Sequence, residues 1–219
     1  MRVIVLVTAV AALAAALAAQ NIKSDYYLDI PGHTQTGTSG AGAFFPRQDF
    51  VSSTSHPPPN PLKLTLLSID RIDFIYGERF TYDILIENTG KEPVTLPWSP
   101  DRGAFVQPAP RTPDGFRRGM VYLVAESAAG VQLGLLDGQS LYGSNEVPRS
   151  LLSLASGKTA RIRVAGWWSA GTDEARAAIL RQPDGVVQLR AVFSTQIDDF
   201  PSKQSINTVA VRVGAGRVE

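Results

Sequence analysis

From Leu62 onward the recurring signal is an alternation of apolar and polar residues with a period of two. Leu62, Leu64 and Leu66 alternate with Lys63 and Thr65, and Phe80, Tyr82, Ile84 and Ile86 with Thr81, Asp83 and Glu87. After a turn at Asn88-Thr89-Gly90-Lys91 the pattern resumes with Val94, Leu96 and Trp98. It returns at Ile162 and Val164 between Arg161, Arg163 and Ala165, and at Val187, Leu189, Ala191 and Phe193 between Gln188, Arg190 and Val192. Val209, Val211 and Val213 carry it to the end. Successive strand side chains point to opposite faces, so each run turns one face to a core and the other to water. Many short strands parted by Gly, Pro, Asn and Asp turns predict an all-β fold, an antiparallel sandwich over residues 62–219.

Two stretches break the alternation. Thr172 or Asp173 is placed to cap a short helix running to Gln182, with Glu174 in its first turn and Ile179 and Leu180 on one side. Pro183-Asp184-Gly185 ends it as a turn. Residues 97–119 hold Pro97, Pro100, Pro108, Pro110 and Pro113, which exclude a central strand and predict a long loop. That loop is rich in arginine (Arg102, Arg111, Arg117 and Arg118) and carries Phe105 and Phe116. Loops of this length inside a compact domain are usually functional or mobile.

Met1-Arg2 precedes an apolar stretch, Val3 to Ala19, broken only by Thr8 and containing Ala16-Leu17-Ala18. A short basic start, an apolar run and small residues before Gln20 read as a secretory signal peptide over 1–19. The rival is an uncleaved anchor, since the run approaches the ~20 residues that span a bilayer; its alanine-rich second half favours cleavage. Residues 20–61 contain a Gly/Ser/Thr stretch at 34–40 and the run His56-Pro57-Pro58-Pro59-Asn60-Pro61, and read as a flexible to stiff linker. Tyr26-Tyr27-Leu28 and Phe44-Phe45 are short apolar clusters within it, either of which can dock on the domain as an added strand. Together these place the protein outside the cytoplasm, in the periplasm or secreted, with any membrane contact made only through the N-terminal segment if it stays uncleaved. The absence of cysteine points to a bacterial rather than a eukaryotic export route.

The stretch Tyr76-Gly77-Glu78-Arg79-Phe80-Thr81-Tyr82-Asp83-Ile84-Leu85-Ile86-Glu87-Asn88-Thr89-Gly90-Lys91-Glu92-Pro93-Val94 resembles the second strand and hairpin of bacterial immunoglobulin-like sandwiches. Ser205-Ile206-Asn207-Thr208-Val209-Ala210-Val211-Arg212-Val213 resembles their last strand. The resemblance implies an immunoglobulin-like β-sandwich, of a kind that includes adhesion-related modules and proteinase-inhibitor-type domains. Val187 stands where such a fold would carry its corner tyrosine. A fold of this kind does not by itself name a function.

Composition narrows the chemistry. With no cysteine there is no thiol nucleophile, iron–sulfur cluster or Cys-based zinc site, and both histidines, His33 and His56, fall in the expected linker. No Gly-x-Ser-x-Gly elbow, phosphate-binding glycine loop or His-Glu-x-x-His motif occurs. The carboxylate pairs Asp70/Asp73, Asp173/Glu174 and Asp198/Asp199 read as strand ends, a helix start and a turn, rather than as a calcium loop. Loss of Arg2 with the signal leaves 20 basic and 20 acidic residues, a balance unsuited to a dedicated nucleic-acid binder. The expected protein is therefore a non-enzymatic binding or structural module without a cofactor. Its candidate binding residues are Trp167 and Trp168, which cannot both face a core if extended, and Arg102, Arg117 and Arg118 of the long loop. The expected partner is an envelope or extracellular protein. A glycan stacked on an indole and a proteinase held by the loop are the alternatives.

Overall fold

The computed structural model describes residues 23–30, 61–75, 78–96, 119–140, 151–167, 173–195 and 203–214. The signal segment, the rest of the expected linker, the loop 97–118, Trp168 and Asp198-Asp199 lie outside them.

The chain is mostly strand with one α-helix among the described residues, so the all-β reading holds. In order come β1 (Tyr26–Ile30), β2 (Leu62–Ile69), β3 (Asp73–Ile75), β4 (Arg79–Asn88), β5 (Val94–Leu96), β6 (Gly119–Glu126) and β7 (Gln132–Ser140). Then follow β8 (Leu152–Leu154), β9 (Thr159–Trp167), α1 (Asp173–Leu180), β10 (Val186–Thr195), β11 (Lys203–Gln204) and β12 (Val209–Gly214). One sheet has the order β1-β9-β4-β2 and the other β3-β12-β10-β6-β7, with β11 beside β10 and a separate β5-β8 pair.

The expectation of purely antiparallel sheets fails at two edges. β1 runs parallel to β9, and β3 runs parallel to β12. Parallel neighbours cannot be joined by a tight hairpin. The strands concerned are therefore distant in sequence, and no local turn signal announces either pairing. β1 also lies inside the stretch read as a linker, so the cluster Tyr26-Tyr27-Leu28 does add to the domain as a strand.

The alternating residues do what their period demands. Leu62, Leu64, Leu66, Phe80, Tyr82, Ile84, Ile86, Ala160, Ile162, Val164, Val187, Leu189, Ala191, Phe193, Val211 and Val213 are all buried in one core to which both sheets contribute. Phe80 stacks on Tyr82 with centroids 5.7 Å apart and meets Phe74 edge-on at 5.5 Å. Each Val, Leu, Ile or Phe side chain so withdrawn from water stabilises the fold by about 1.5–3 kcal/mol before conformational entropy is subtracted.

Polar side chains tie the segments that the core cannot. Asn88 is fully buried at the end of β4. Its amide donates to the Glu92 and Leu154 carbonyls while its oxygen accepts from the Gly90 N–H, which closes the turn seen in the sequence. Asn207 holds the edge of β2, its oxygen accepting from the Leu66 N–H at 2.9 Å and its amide donating to the Leu66 carbonyl at 2.8 Å. Ser205 on the same segment donates from its N–H to the Ala191 carbonyl and accepts from the Ala191 N–H. Residues 205–207 therefore bond to β2 of one sheet and β10 of the other.

α1 starts at Asp173 as expected and stops at Leu180, a little short of Gln182. It lies on β7, where a Cβ added to Gly134 would come within 2.7 Å of the Ala175 Cβ. The turn after it places both Asp184 (φ 56) and Gly185 (φ 65) in the left-handed region, and the Val186 N–H donates to the Pro183 carbonyl. Two successive positive φ values are the signature of a type I′ turn, which Asp-Gly serves.

Candidate recognition surface

The outer face of the four-stranded sheet is built from the residues between the core positions. On β4 these are Arg79, Thr81, Asp83, Leu85 and Glu87, and on β9 they include Arg161 and Arg163. Trp167 closes β9 with Arg79 as its register partner, and Tyr27 of β1 is the partner of Arg161. Tyr27 is 52% exposed and Arg163 is exposed. The sheet thus brings Tyr27, Arg161, Arg163, Arg79 and Trp167 to neighbouring positions along and beside one strand.

One group on this face is shielded from water. Arg161 Nη2 donates to Asp83 Oδ2 at 2.8 Å, the side chains being 13% and 8% exposed. The Ser68 hydroxyl donates to the same oxygen at 3.1 Å, while Asp83 Oδ1 accepts no hydrogen bond from the described residues. Desolvating two charges offsets most of their attraction, so the pair fixes β2, β4 and β9 relative to one another more than it adds net stability. Lys63–Glu87 on the same sheet, at 3.1 Å, is half-exposed and correspondingly weak.

A second charged cluster anchors the edge strand. The Asp25 carboxylate accepts from Lys158 Nζ at 2.9 Å, from the Thr159 N–H at 2.9 Å and from the Thr159 hydroxyl at 3.1 Å. The hydrogen bond from Lys158, followed by that from the Thr159 N–H, holds the Asp25 carboxyl below the ordinary carboxylate range. The same contact pushes the Lys158 ammonium above its usual value.

The carboxylate pairs noted in the sequence have separate structural duties. Asp70 accepts from the Thr81 N–H and hydroxyl, Asp73 pairs with Arg212 at 3.5 Å in solvent, and Asp173 and Glu174 open α1. Among the described residues no three His, Cys, Asp or Glu gather as a metal would require. Of the candidate binding residues, Trp167 has a described backbone position; Trp168, Arg102, Arg117 and Arg118 fall outside the description. Asp83 and Asp25 were not singled out from sequence, because each looks like an ordinary polar strand residue. Their charged partners lie 78 and 133 positions away.

No family model and no curated protein matches the chain. Among solved structures it is similar to the alkylpurine DNA glycosylase AlkC of Pseudomonas fluorescens, with 11% identity, TM-score 0.35, and 72% of this chain and 32% of that one covered. It is similar to a β-glucosidase from Listeria innocua, with 13% identity, TM-score 0.33, and 72% and 16% covered. It is also similar to the sporulation control protein Spo0M of Bacillus subtilis, with 8% identity, TM-score 0.34, and 71% and 50% covered. The chain spans half or less of each of these proteins, and likeness at this level decides neither fold family nor activity.

Proposed function

We propose that this protein is an exported, non-enzymatic recognition module with an immunoglobulin-like strand order, which binds a protein of the bacterial envelope or exterior. The order β2-β4-β9 in one sheet and β12-β10-β6-β7 in the other supports the fold reading, since it follows the A-B-E and G-F-C-C′ arrangement of variable-type domains. The observation that carries the function is the outer face of β9 and its neighbours, where Tyr27, Arg163, Arg79 and Trp167 occupy register positions along one sheet. Tyr, Trp and Arg are the residues that dominate binding energy at protein interfaces. Arg102, Arg117 and Arg118 of the long loop are the second set of contacts in this reading.

The test is binding of a partner captured from envelope extract. Replacing Arg163 and Trp167 together by alanine abolishes retention of that partner while the thermal midpoint stays within a few degrees of wild type. Retention unchanged by this pair and lost on deletion of residues 99–116 moves the site to the loop. A glycan retained in place of a protein, and lost with Trp167 alone, establishes carbohydrate recognition instead.

A further inference from the structure

β1 is held by contacts that owe nothing to chain proximity. Its backbone pairs with β9 from Tyr26 opposite Ala160 to Ile30 opposite Val164, and Asp25 is clamped by Lys158 and Thr159, 133 and 134 residues away. Tyr26 rests partly buried against the core. The strand has five residues, lies at a sheet edge and runs parallel to its neighbour, three features that make for a modest local stability. Its backbone pairing and the Asp25 clamp are made with β9 and the turn before it, so residues 25–30 of any copy of the chain find the same contacts there.

We propose that the β9 edge is an assembly site that accepts residues 25–30 of a second copy of this chain, linking copies by strand exchange. The length of chain between donor and domain makes both closures possible. Ile30, Val164, Tyr82 and Ile69 share one row across the sheet, and Leu62 lies at the opposite end of β2, opposite Asn88. Three strand spacings of ~4.8 Å and seven residues of ~3.3 Å separate Ile30 from Leu62 by about 27 Å. Residues 31–60 bridge that gap with a large excess of chain. A connection of thirty residues is long enough to present the strand to its own edge, and within dilute chains that closure outcompetes pairing between copies. Dilute chains therefore close on themselves, and exchange takes over when copies are crowded or the connection is too short. Each copy offers one donor strand and one acceptor edge, so exchanged copies close as a reciprocal dimer or continue as a row.

Two measurements test this. In the first, full-length Asp29→Cys and Arg163→Cys chains are mixed under mild oxidation at rising concentration; the two positions are register partners and the natural chain has no cysteine. Exchange predicts a mixed disulfide well above about twice the yield of either like-with-like product, increasing with concentration. A mixed product at or below that statistical ratio overturns the proposal. In the second, deleting residues 33–60 leaves a connection reaching only about 14 Å, which cannot close on its own edge. Exchange predicts dimers or longer rows by light scattering, with Asp29→Cys/Arg163→Cys links formed between chains. A folded monomer with no link between chains overturns it. If the shortened chain does not fold, the first experiment decides.

Discussion

The outer faces of the two sheets bury different things. On the four-stranded sheet the shielded group is an ion pair, Asp83–Arg161, braced by Ser68. On the five-stranded path it is apolar. Tyr122, Val124 and Val192 of β6 and β10 form a cluster separate from the main core, each at most 7% exposed. Beside it Arg190 grips Glu126 with two hydrogen bonds of 2.7 and 3.0 Å and donates to the Ser205 carbonyl. Apolar burial lowers the free energy of the fold outright, while a buried ion pair comes near to breaking even and punishes the loss of either member. The first face is thus specified by its charges and the second is stabilised by its contacts.

The largest test of that contrast is Arg161→Ala, which strands the Asp83 carboxylate and is expected to cost about 3–5 kcal/mol in urea unfolding. Replacing both members by apolar residues of similar volume, Asp83→Leu with Arg161→Met, restores most of the loss. If the double variant is as unstable as the single one, the pair contributes net stability and the contrast between the faces disappears. Val192→Ala on the other face is expected to cost about 2 kcal/mol, with no compensating partner available. Glu126→Gln removes one charge from a partly buried fork and is expected to cost about 1 kcal/mol. Removing the exposed Lys63–Glu87 pair by Lys63→Ala should change stability by less than about 0.5 kcal/mol and be masked by salt.

The smallest effect is local and depends on pH. Because the Asp25 carboxyl titrates below its unfolded value, its contribution to seating β1 is complete above the ordinary carboxylate range and is lost as pH falls through the lowered folded value. Lys158, raised by the same contact, contributes fully below the usual lysine range and ceases to do so as pH rises past its raised value. Protection of the amides along β9 from Ala160 to Val164, with exchange corrected for its intrinsic dependence on pH, should therefore fall at both extremes and be greatest between them. A protection factor unchanged by acid would show that backbone pairing, not Asp25, holds the strand.

What could be read in the sequence follows the range of the forces involved. The alternations at 62–66, 80–87, 94–96, 162–164, 187–193 and 209–213 all became strands, because a two-residue period is imposed by the strand itself. The helix start at Asp173 and the Pro183-Asp184-Gly185 turn rest on equally local chemistry. β6 left no such mark. Its run Val121-Tyr122-Leu123-Val124-Ala125 is buried on both faces, so the alternation that would reveal a half-solvated strand is absent.

The amino-acid sequence by itself determined that the described domain is all-β, which face of most strands turns inward, and where the chain bends. Those properties depend on residues a few positions apart, through backbone geometry and the exclusion of apolar side chains from water. Only the tertiary structure decided that β1 and β3 pair in parallel, that Asp83 meets Arg161, and that Asp25 meets Lys158 and Thr159. Hydrogen bonds and charges act over a few ångströms without regard to sequence distance. Which donor and acceptor lie that close is settled only when the two sheets close on their common core.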